Sequence, residues 1–228
     1  MFQMRYIDCF PKEENAFAQF GTFGHSILEK YYAGELKLFE LSQYYNEHYK
    51  ENVKLDFPPN KYVNLANSYH KSGVEYFDNF EDDFEDYEVL GIEEKIDIEV
   101  GGYHFTGYID LTLRNNEGIA IVDHKSKSKF KSKKERTEYL RQLYLYAIHV
   151  YKKYGVWPIE LIFNMFRNNT IHEEPFSIDA LEEAKQWFID TIAKIYNDNE
   201  FPTKEDSFFC NYLCDVRSSC VCSDKYLG

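Results

Sequence analysis

Two tight turns divide residues 88–125 into three strand-like runs, and this stretch constrains the fold more than any other. Gly101-Gly102 suits a two-residue hairpin turn, and residues 115–118, Asn-Asn-Glu-Gly, form a second tight turn. If position 100 pairs with 103, paired positions sum to 203; if 115 pairs with 118, they sum to 233. The turns therefore predict three antiparallel strands in a defined register.

This register gathers acidic side chains on one face of the predicted sheet. It sets Glu93 opposite Asp110 and Asp110 opposite Asp123, and Lys125 shares their face because side chains alternate along a strand. Like charges directly opposite each other destabilise a sheet, so a compensating charge is expected. A hard cation such as Mg²⁺ is the simplest candidate. The alternative is a solvated polar face with loosely placed acids.

The flanking segments predict helices on both sides of these strands. The third run, residues 119–123, is nearly continuously apolar, which favours a central strand covered on both faces. Gly21 and Gly24 in the first helix would let another element or a ligand approach His25 closely, although a lone histidine on an apolar helix is often a core residue. The other predicted elements are helices at 13–33, 35–52, 60–80, 135–154 and 178–197 and strands at 159–166 and 170–176. The predicted buried face of the last helix comprises Leu181, Ala184, Trp187, Phe188, Ile192 and Ile195.

Charge is distributed unevenly along the chain. The formal net charge of −13 argues against a non-specific nucleic-acid coat, yet residues 125–141 carry a local balance of +6. This basic segment could bind a polyanion locally, or it could be a solvated loop. No signal peptide or membrane-spanning run is visible, so we expect a cytoplasmic protein with no membrane partner. A length of 228 residues suits one domain.

The acidic row suggests a specific chemistry. Asp110 and Asp123 would hold one or two Mg²⁺ or Mn²⁺ ions, and Lys125 would orient water or neutralise developing charge. Glu93 and His25 could supply further ligands. On the following helix, two residues four apart could contact a phosphate backbone: Gln142 and Tyr146. The hypothesis is metal-assisted hydrolysis of a phosphodiester.

Four ordered motifs resemble the RecB-type branch of the PD-(D/E)XK nuclease superfamily. They are Gly24-His25-Ser-Ile-Leu-Glu-Lys-Tyr-Tyr, Gly107-Tyr-Ile-Asp110-Leu, Ile121-Val-Asp123-His-Lys125-Ser and Gln142-Leu-Tyr-Leu-Tyr146. Asp123 replaces the commoner glutamate of the second acidic position. The resemblance implies an α/β (α+β) fold with a restriction-endonuclease-like mixed sheet, flanked by helices and preceded by a helical N-terminal region.

The same resemblance implies roles for individual residues. It makes His25, Asp110, Asp123 and the His124 carbonyl the metal ligands and Lys125 catalytic, while Glu93 matches a family acid more loosely. Four further residues would support the site or the DNA: Gln142, Tyr146, Lys127 and Lys129. The implied activity is divalent-metal-dependent DNA cleavage, usually exonucleolytic, in recombination, repair or phage DNA processing, with DNA and a helicase or recombination protein as partners.

Clustered cysteines suggest a second metal site. Cys210, Cys214, Cys220 and Cys222 fall within thirteen residues, a spacing that favours metal ligation in a cytosolic chain. Related iron–sulfur exonucleases join one N-terminal cysteine to three near the C-terminus, but Cys9 lies too near His25 for that role. A [4Fe–4S] cluster completed by Cys222 or Cys9, a zinc site, and reduced thiols in a disordered tail all stay open.

The predicted organisation is a single RecB-like nuclease domain over residues 1–228. Its parts are a helical region (1–85), the catalytic sheet and helix (86–176), and a C-terminal helix with a cysteine-rich tail (177–228). One rival is a catalytically inactive nuclease fold that binds DNA or protein, which has no need of intact Asp110, Asp123 and Lys125. Another is a protein whose cysteine-bound metal organises a partner interface, which leaves the acidic row unexplained.

Overall fold

The protein is built on a mixed five-stranded sheet with strand order β1-β2-β3-β4-β5. The structure is a computed structural model that describes residues 2–198, 200–203 and 205–227. Neighbouring strands run antiparallel except β3 and β4, which are parallel. The strands are β1 (Glu88–Val100), β2 (Tyr103–Arg114), β3 (Ile119–Lys125), β4 (Glu160–Met165) and β5 (Thr170–Pro175). Residues 119–124 of β3 are all buried, which confirms the predicted central strand.

Helices cover the sheet, as predicted. They are α1 (Ala16–Tyr32), α2 (Leu41–Asn52), α3 (Leu65–Asp78), α4 (Lys133–Tyr154) and α5 (Ile178–Asn197). Short helical turns lie at Gln3–Ile7, Leu38–Glu40, Phe209–Leu213 and Arg217–Ser219. The side chains of Asn15, Ser132 and Ser177 cap α1, α4 and α5, and Gly155 ends α4 with a φ of 76°. The α/β fold class predicted from the sequence is confirmed.

From Gly91 onward the observed pairing of β1 and β2 follows the predicted register, and a shift between Val89 and Gly91 displaces the first two pairs by one residue. Val100 pairs with Tyr103 and Ile92 with Leu111, and Leu111 pairs with Val122 on the other side. Gly101 and Gly102 have φ values of 60° and 82°, the positive angles that a type I′ turn requires. The two turns therefore place the acids of the three strands near one another.

An irregularity interrupts β1 and β2 at the acids themselves. Glu94 pairs with Ile109 and Ile92 pairs with Leu111, so Glu93 and Asp110 lie between ladder pairs, and Glu93 has a φ of 46°. Ile109 packs with α4, whereas Leu111, two residues on, packs in the core on the other side of the sheet. Strict alternation would have put both on the same side. The alternation of side chains between the two faces of the sheet is thus interrupted at Glu93 and Asp110.

The two faces of the sheet carry separate parts of the core. Residues of α4 and α5 pack on one face, and strand residues such as Leu111, Val122 and Ile162 pack with Phe84 on the other. A further, largely aromatic cluster lies among α1, α2 and α3.

The predicted buried face of α5 is only partly confirmed: Leu181 and Ala184 are buried, Phe188, Ile192 and Ile195 are half-buried, and Trp187 is 40% exposed. The guanidinium of Arg141 lies 4.6 Å from the Trp187 ring centroid. In the described residues, no helix combines the length and the hydropathy needed to span a membrane.

Candidate active site

Helix α1 approaches the sheet closely at Gly24. A Cβ at Gly24 would lie 2.6 Å from the ring of Phe166, so only glycine allows this packing. The ring of the next residue, His25, lies 5.8 Å from that of Phe166 and 5.9 Å from that of His124. His25 Nδ1 is 3.5 Å from Asp110 Oδ2. The prediction that the glycines allow another element to approach His25 is confirmed.

Three side chains from separate elements form a compact donor set. His25 of α1, Glu93 of β1 and Asp110 of β2 each offer one ligand atom, and these atoms lie within 4.8 Å of one another. An imidazole with two carboxylates can bind a divalent cation. The donor set therefore fits the metal that the sequence predicts, and it includes both His25 and the loosely matched Glu93.

Asp123 lies beside this donor set rather than within it. Its side chain is buried, and its Oδ2 pairs with Nζ of Lys125 at 2.5 Å. Asp110 is held by the His124 N–H, which donates to Oδ2 over 2.7 Å. Asp123 is a buried acid beside Asp110, and the single ammonium of Lys125 does not balance the acids of the site, so Asp123 also fits a site that takes a cation.

Burial and mutual repulsion act on the acids. Burial and the neighbouring charges of Asp110 and Glu29 raise the pKa of Glu93 to about 7. Burial raises the pKa of Asp123 to about 6, with Asp110 adding to the rise and Lys125 opposing it. Burial also raises the pKa of Asp110 against the hydrogen bond from His124. A bound cation would relieve this repulsion and favour the ionised carboxylates.

The histidines of the site favour the neutral form. Burial lowers the pKa of His25, with the charge of Asp123 and the His124 backbone opposing the shift. Burial lowers the pKa of His124 far more. The side-chain amide of Asn164 links Nδ1 of His124 to the Tyr76 hydroxyl over 3.1 and 2.9 Å. A neutral His25 can ligate a metal, whereas the His124 side chain belongs to the core behind the site.

Helix α4 contributes the two residues predicted to support the site. Gln142 donates a hydrogen bond to the hydroxyl of Tyr146. The Tyr146 ring packs on Gly107 of β2, where a Cβ would lie 2.9 Å from the ring. Burial raises the pKa of Tyr146 to about 12, and the charges of Asp123 and Asp110 add to the shift. The hydroxyl therefore stays protonated next to the acidic site.

The predicted DNA-contacting lysines differ in their surroundings. Lys127 Nζ donates to Glu135 over 2.5 Å and to the Tyr139 hydroxyl over 3.3 Å, whereas Lys129 is exposed. The Tyr139 ring centroid lies 5.4 Å from Lys125 Nζ and 4.7 Å from Lys127 Nζ. Lys127 is thus hydrogen-bonded to two residues of α4, and Lys129 is the more accessible cation.

Sequence reasoning missed two residues beside the site. Glu29 lies one turn after His25 on α1, and its spacing of four residues was an available signal. Tyr139 lies three residues before Gln142 on α4, on the side that faces the lysines. Glu29 lies within the first motif but was given no role there, and Tyr139 lies outside the four motifs.

The four C-terminal cysteines line one cavity of about 430 Å³. Cys210 and Cys214 are buried, and Cys9 is exposed. Among the described residues, no three cysteine sulfurs lie within 4.8 Å of one another. Four ligands of one zinc ion would lie roughly 3.8 Å apart, given Zn–S distances of about 2.3 Å. The four cysteines therefore converge on one cavity, and no three of their sulfurs form a preformed metal site among the described residues.

Comparisons with known proteins agree with the fold and with the motifs. The sequence profile of the PD-(D/E)XK nuclease superfamily matches residues 1–221. A crystal structure from Eubacterium rectale, of a protein provisionally named an exonuclease, has 14% sequence identity and a TM-score of 0.50, over 91% of this chain and 84% of that one. A search of curated proteins returns no match. Since the profile spans nearly the whole sequence, the chain belongs to the PD-(D/E)XK nuclease superfamily.

Proposed function

We propose that the protein is a divalent-metal-dependent DNA exonuclease. The observation that carries the proposal is the convergence of His25, Glu93 and Asp110 within 4.8 Å, beside the buried Asp123 and its partner Lys125. A fold that only binds DNA has no need to bury like charges at this density, because they destabilise the sheet. The name of the similar Eubacterium rectale protein agrees with exonuclease chemistry.

Each residue of the site has a separable task. His25, Glu93, Asp110 and Asp123 would hold the cation, with the His124 carbonyl as a further oxygen ligand. When bound, Mg²⁺ or Mn²⁺ lowers the pKa of a coordinated water and offsets charge on the phosphoryl group. Lys125, held by Asp123, would orient the attacking water or donate to a phosphate oxygen. Gln142 and Tyr146 would fix the DNA backbone or the strand that carries Asp110.

One assay separates this proposal from an inactive DNA-binding fold. Purified wild-type protein is incubated with linear DNA in Mg²⁺, in Mn²⁺ or in EDTA, beside Asp123→Asn, Lys125→Ala and the surface control Lys152→Ala. We expect metal-dependent cleavage by the wild type and the control, and a loss of at least 100-fold in both site variants. Equal cleavage by all four proteins, or cleavage by none, would reject the proposal.

A comparison of DNA topologies tests the exonuclease mode. An exonuclease needs an end, so linear DNA should be degraded and a covalently closed circle of the same sequence should not. Cleavage of both at similar rates would assign an endonuclease. DNA labelled at one end then reports the polarity, and a helicase or recombination partner stays a prediction.

We also propose that the cysteine cavity holds a [4Fe–4S] cluster. Four cysteines line the cavity, and a [4Fe–4S] cluster takes four thiolates, each on a different iron. Anaerobically purified protein should absorb in the visible range and contain iron and sulfide, and Cys214→Ala should lose both while Cys9→Ala keeps them. Colourless wild-type protein with one equivalent of zinc would contradict the cluster.

A further inference from the structure

A groove of about 550 Å³ runs beside the candidate active site. Its wall includes Ser126, the residue that follows Lys125. Basic and aromatic side chains both line it, among them Lys129, Lys131, Arg167, Phe17, Tyr69 and Phe208. Neither the motifs nor the donor set includes the aromatic members or Arg167, so the proposed hydrolysis does not by itself explain the groove.

The position of the groove follows from the sheet. Its lysine-rich segment follows β3, and Arg167 lies just after β4, so the groove lies outside the carboxyl ends of the parallel pair. Crevices at such ends are the usual ligand sites of open α/β sheets. On α1, Phe17 lies two turns before His25, a rise of about 12 Å. A chain lying in the groove would therefore lead to the metal donors.

The groove concentrates positive charge on an acidic protein. Within the parts of the chain that the structure describes, Lys129, Lys131 and Arg167 form no ion pair with a carboxylate, whereas Lys127 pairs with Glu135. The whole chain carries a formal charge of −13. A polyanion would therefore be attracted to this side of the molecule and repelled by most of the remaining surface.

The aromatic side chains favour bases over a bare phosphate chain. The guanidinium of Arg167 lies 3.7 Å from the Tyr69 ring centroid and donates to the Tyr69 hydroxyl over 2.9 Å. The rings of Phe17 and Phe208 lie 6.4 Å apart, and Phe208 is 45% exposed. Aromatic rings and planar guanidinium groups stack on unpaired bases, and paired bases hide those faces within the duplex.

We propose that this groove binds an unpaired nucleic-acid strand and leads it to the active site. Lys129 and Lys131 contact phosphates, while Phe208 and the Arg167–Tyr69 pair stack on bases. The inference rests on the proposed nuclease function for its biological meaning. Its binding step needs no cleavage, however, so the two can fail separately.

Binding in EDTA tests the groove without catalysis. Fluorescence anisotropy measures the affinity of the full chain for a labelled single-stranded oligonucleotide and for the matching blunt duplex, at several salt concentrations. The variants are Lys129→Ala/Lys131→Ala and Phe208→Ala. The control, Lys152→Ala/Lys194→Ala, removes the same charge from exposed positions elsewhere. Thermal unfolding of each variant verifies that it folds.

The proposal predicts a distinct result for each variant. Wild type should prefer the single strand at least tenfold over the duplex. The groove lysine variant should bind at least tenfold more weakly, and the slope of log K against log salt should become shallower by about 1.4, or about 0.7 per lost phosphate contact. Phe208→Ala should lose at least fivefold through lost stacking, and the control should bind like wild type.

Several results would overturn the inference. They are a wild type that binds no single strand, a duplex bound as tightly as the single strand, and folded groove variants that bind like wild type. If cleavage is metal-dependent but the groove variants bind normally, the groove inference fails and the nuclease proposal stands. If the groove binds single strands but no cleavage occurs, the nuclease proposal fails alone.

Discussion

Glu93 combines an unusual backbone with an unusual side-chain environment. Its φ of 46° is rare for a residue other than glycine and costs about 1–2 kcal/mol. Its carboxyl lies close enough to other acids for its pKa to rise to about 7 through burial and repulsion. Strain of this kind persists where the surrounding structure enforces it, often at functional sites. Here it directs a third carboxylate toward the donors of α1 and β2.

The raised pKa values predict pH-dependent metal binding. Between pH 8 and pH 6, Glu93 and Asp123 become protonated and cannot ligate, so Mn²⁺ affinity should fall at least tenfold. Calorimetric titrations at pH 8, 7 and 6 measure this. Asp97→Asn, on an exposed part of β1, should behave like wild type. Affinity that does not change with pH would contradict the prediction.

The same shifts predict the opposite trend for the metal-free fold. A carboxyl whose folded pKa lies above its unfolded value of about 4 contributes stability that is complete below the unfolded pKa and is lost as pH rises through about 6–7. In EDTA, the difference in unfolding free energy between Asp123→Asn and wild type should therefore favour the variant more at pH 8 than at pH 5. Urea unfolding at both values tests the sign, and an equal difference would contradict it.

Gly24 predicts a steric effect on the site. In Gly24→Ala the new methyl group meets the Phe166 ring at 2.6 Å. The higher helix propensity of alanine raises the free energy of unfolding by about 1 kcal/mol. The overpacking should lower it by about 1–3 kcal/mol more than that gain. Thr22→Ala, on an exposed position of α1, is the control. Urea unfolding measures stability, and Mn²⁺ affinity should fall with it because His25 moves. A net stabilisation would show that the packing is looser than described.

At the scale of elements, the sequence predicted the strands and their register because turns and alternation determine both. Gly101-Gly102 requires positive φ at two positions and so fixes the first hairpin. The interrupted alternation at Glu93 and Asp110 has no local signal, since neither residue is a glycine and neither lies in one of the two tight turns. Trp187 was wrongly expected to be buried because periodicity does not reveal where a neighbouring element ends.

Asn164 joins three elements through one buried amide. It connects β4 to His124 of β3 and to Tyr76 of α3. Asn164→Ala leaves two buried polar groups unpaired and should lower the free energy of unfolding by about 2–3 kcal/mol. Asn168→Ala, in the exposed turn after β4, should change it by less than about 0.5 kcal/mol. Equal effects in urea unfolding would show that the network does not couple the elements.

At the scale of the molecule, the two ends of the chain pack together. Arg5 lies 3.2 Å from Asp215, and Glu13 accepts hydrogen bonds from the backbone and hydroxyl of Ser218. Although burial raises the pKa of Glu13, those bonds and the charge of Arg217 lower it overall. Contacts with the N-terminal residues therefore stabilise the cysteine-rich segment. The sequence alone did not reveal these contacts.

This contact predicts how the cysteine cavity opens. Glu13→Ala should increase the labelling rate of Cys210 and Cys214 by a thiol reagent about tenfold, since losing hydrogen bonds to a charged group makes local opening easier by about 1.5 kcal/mol. Glu14→Ala is the control because the Glu14 side chain instead bonds Gln19. Mass spectrometry of labelled peptides in metal-free protein measures the rates. Equal rates in both variants would contradict the prediction.

The long sequence separation between His25 and Asp123 has a consequence for biosynthesis. Ninety-eight positions separate the two residues, and the contact of α1 with Phe166 needs the chain through the end of β4. Such contacts close late, because the intervening loop must first be ordered. A chain still on the ribosome, or one truncated before β3, would lack the assembled site and could not damage nucleic acid. Nuclease activity would then indicate that the whole sheet has folded.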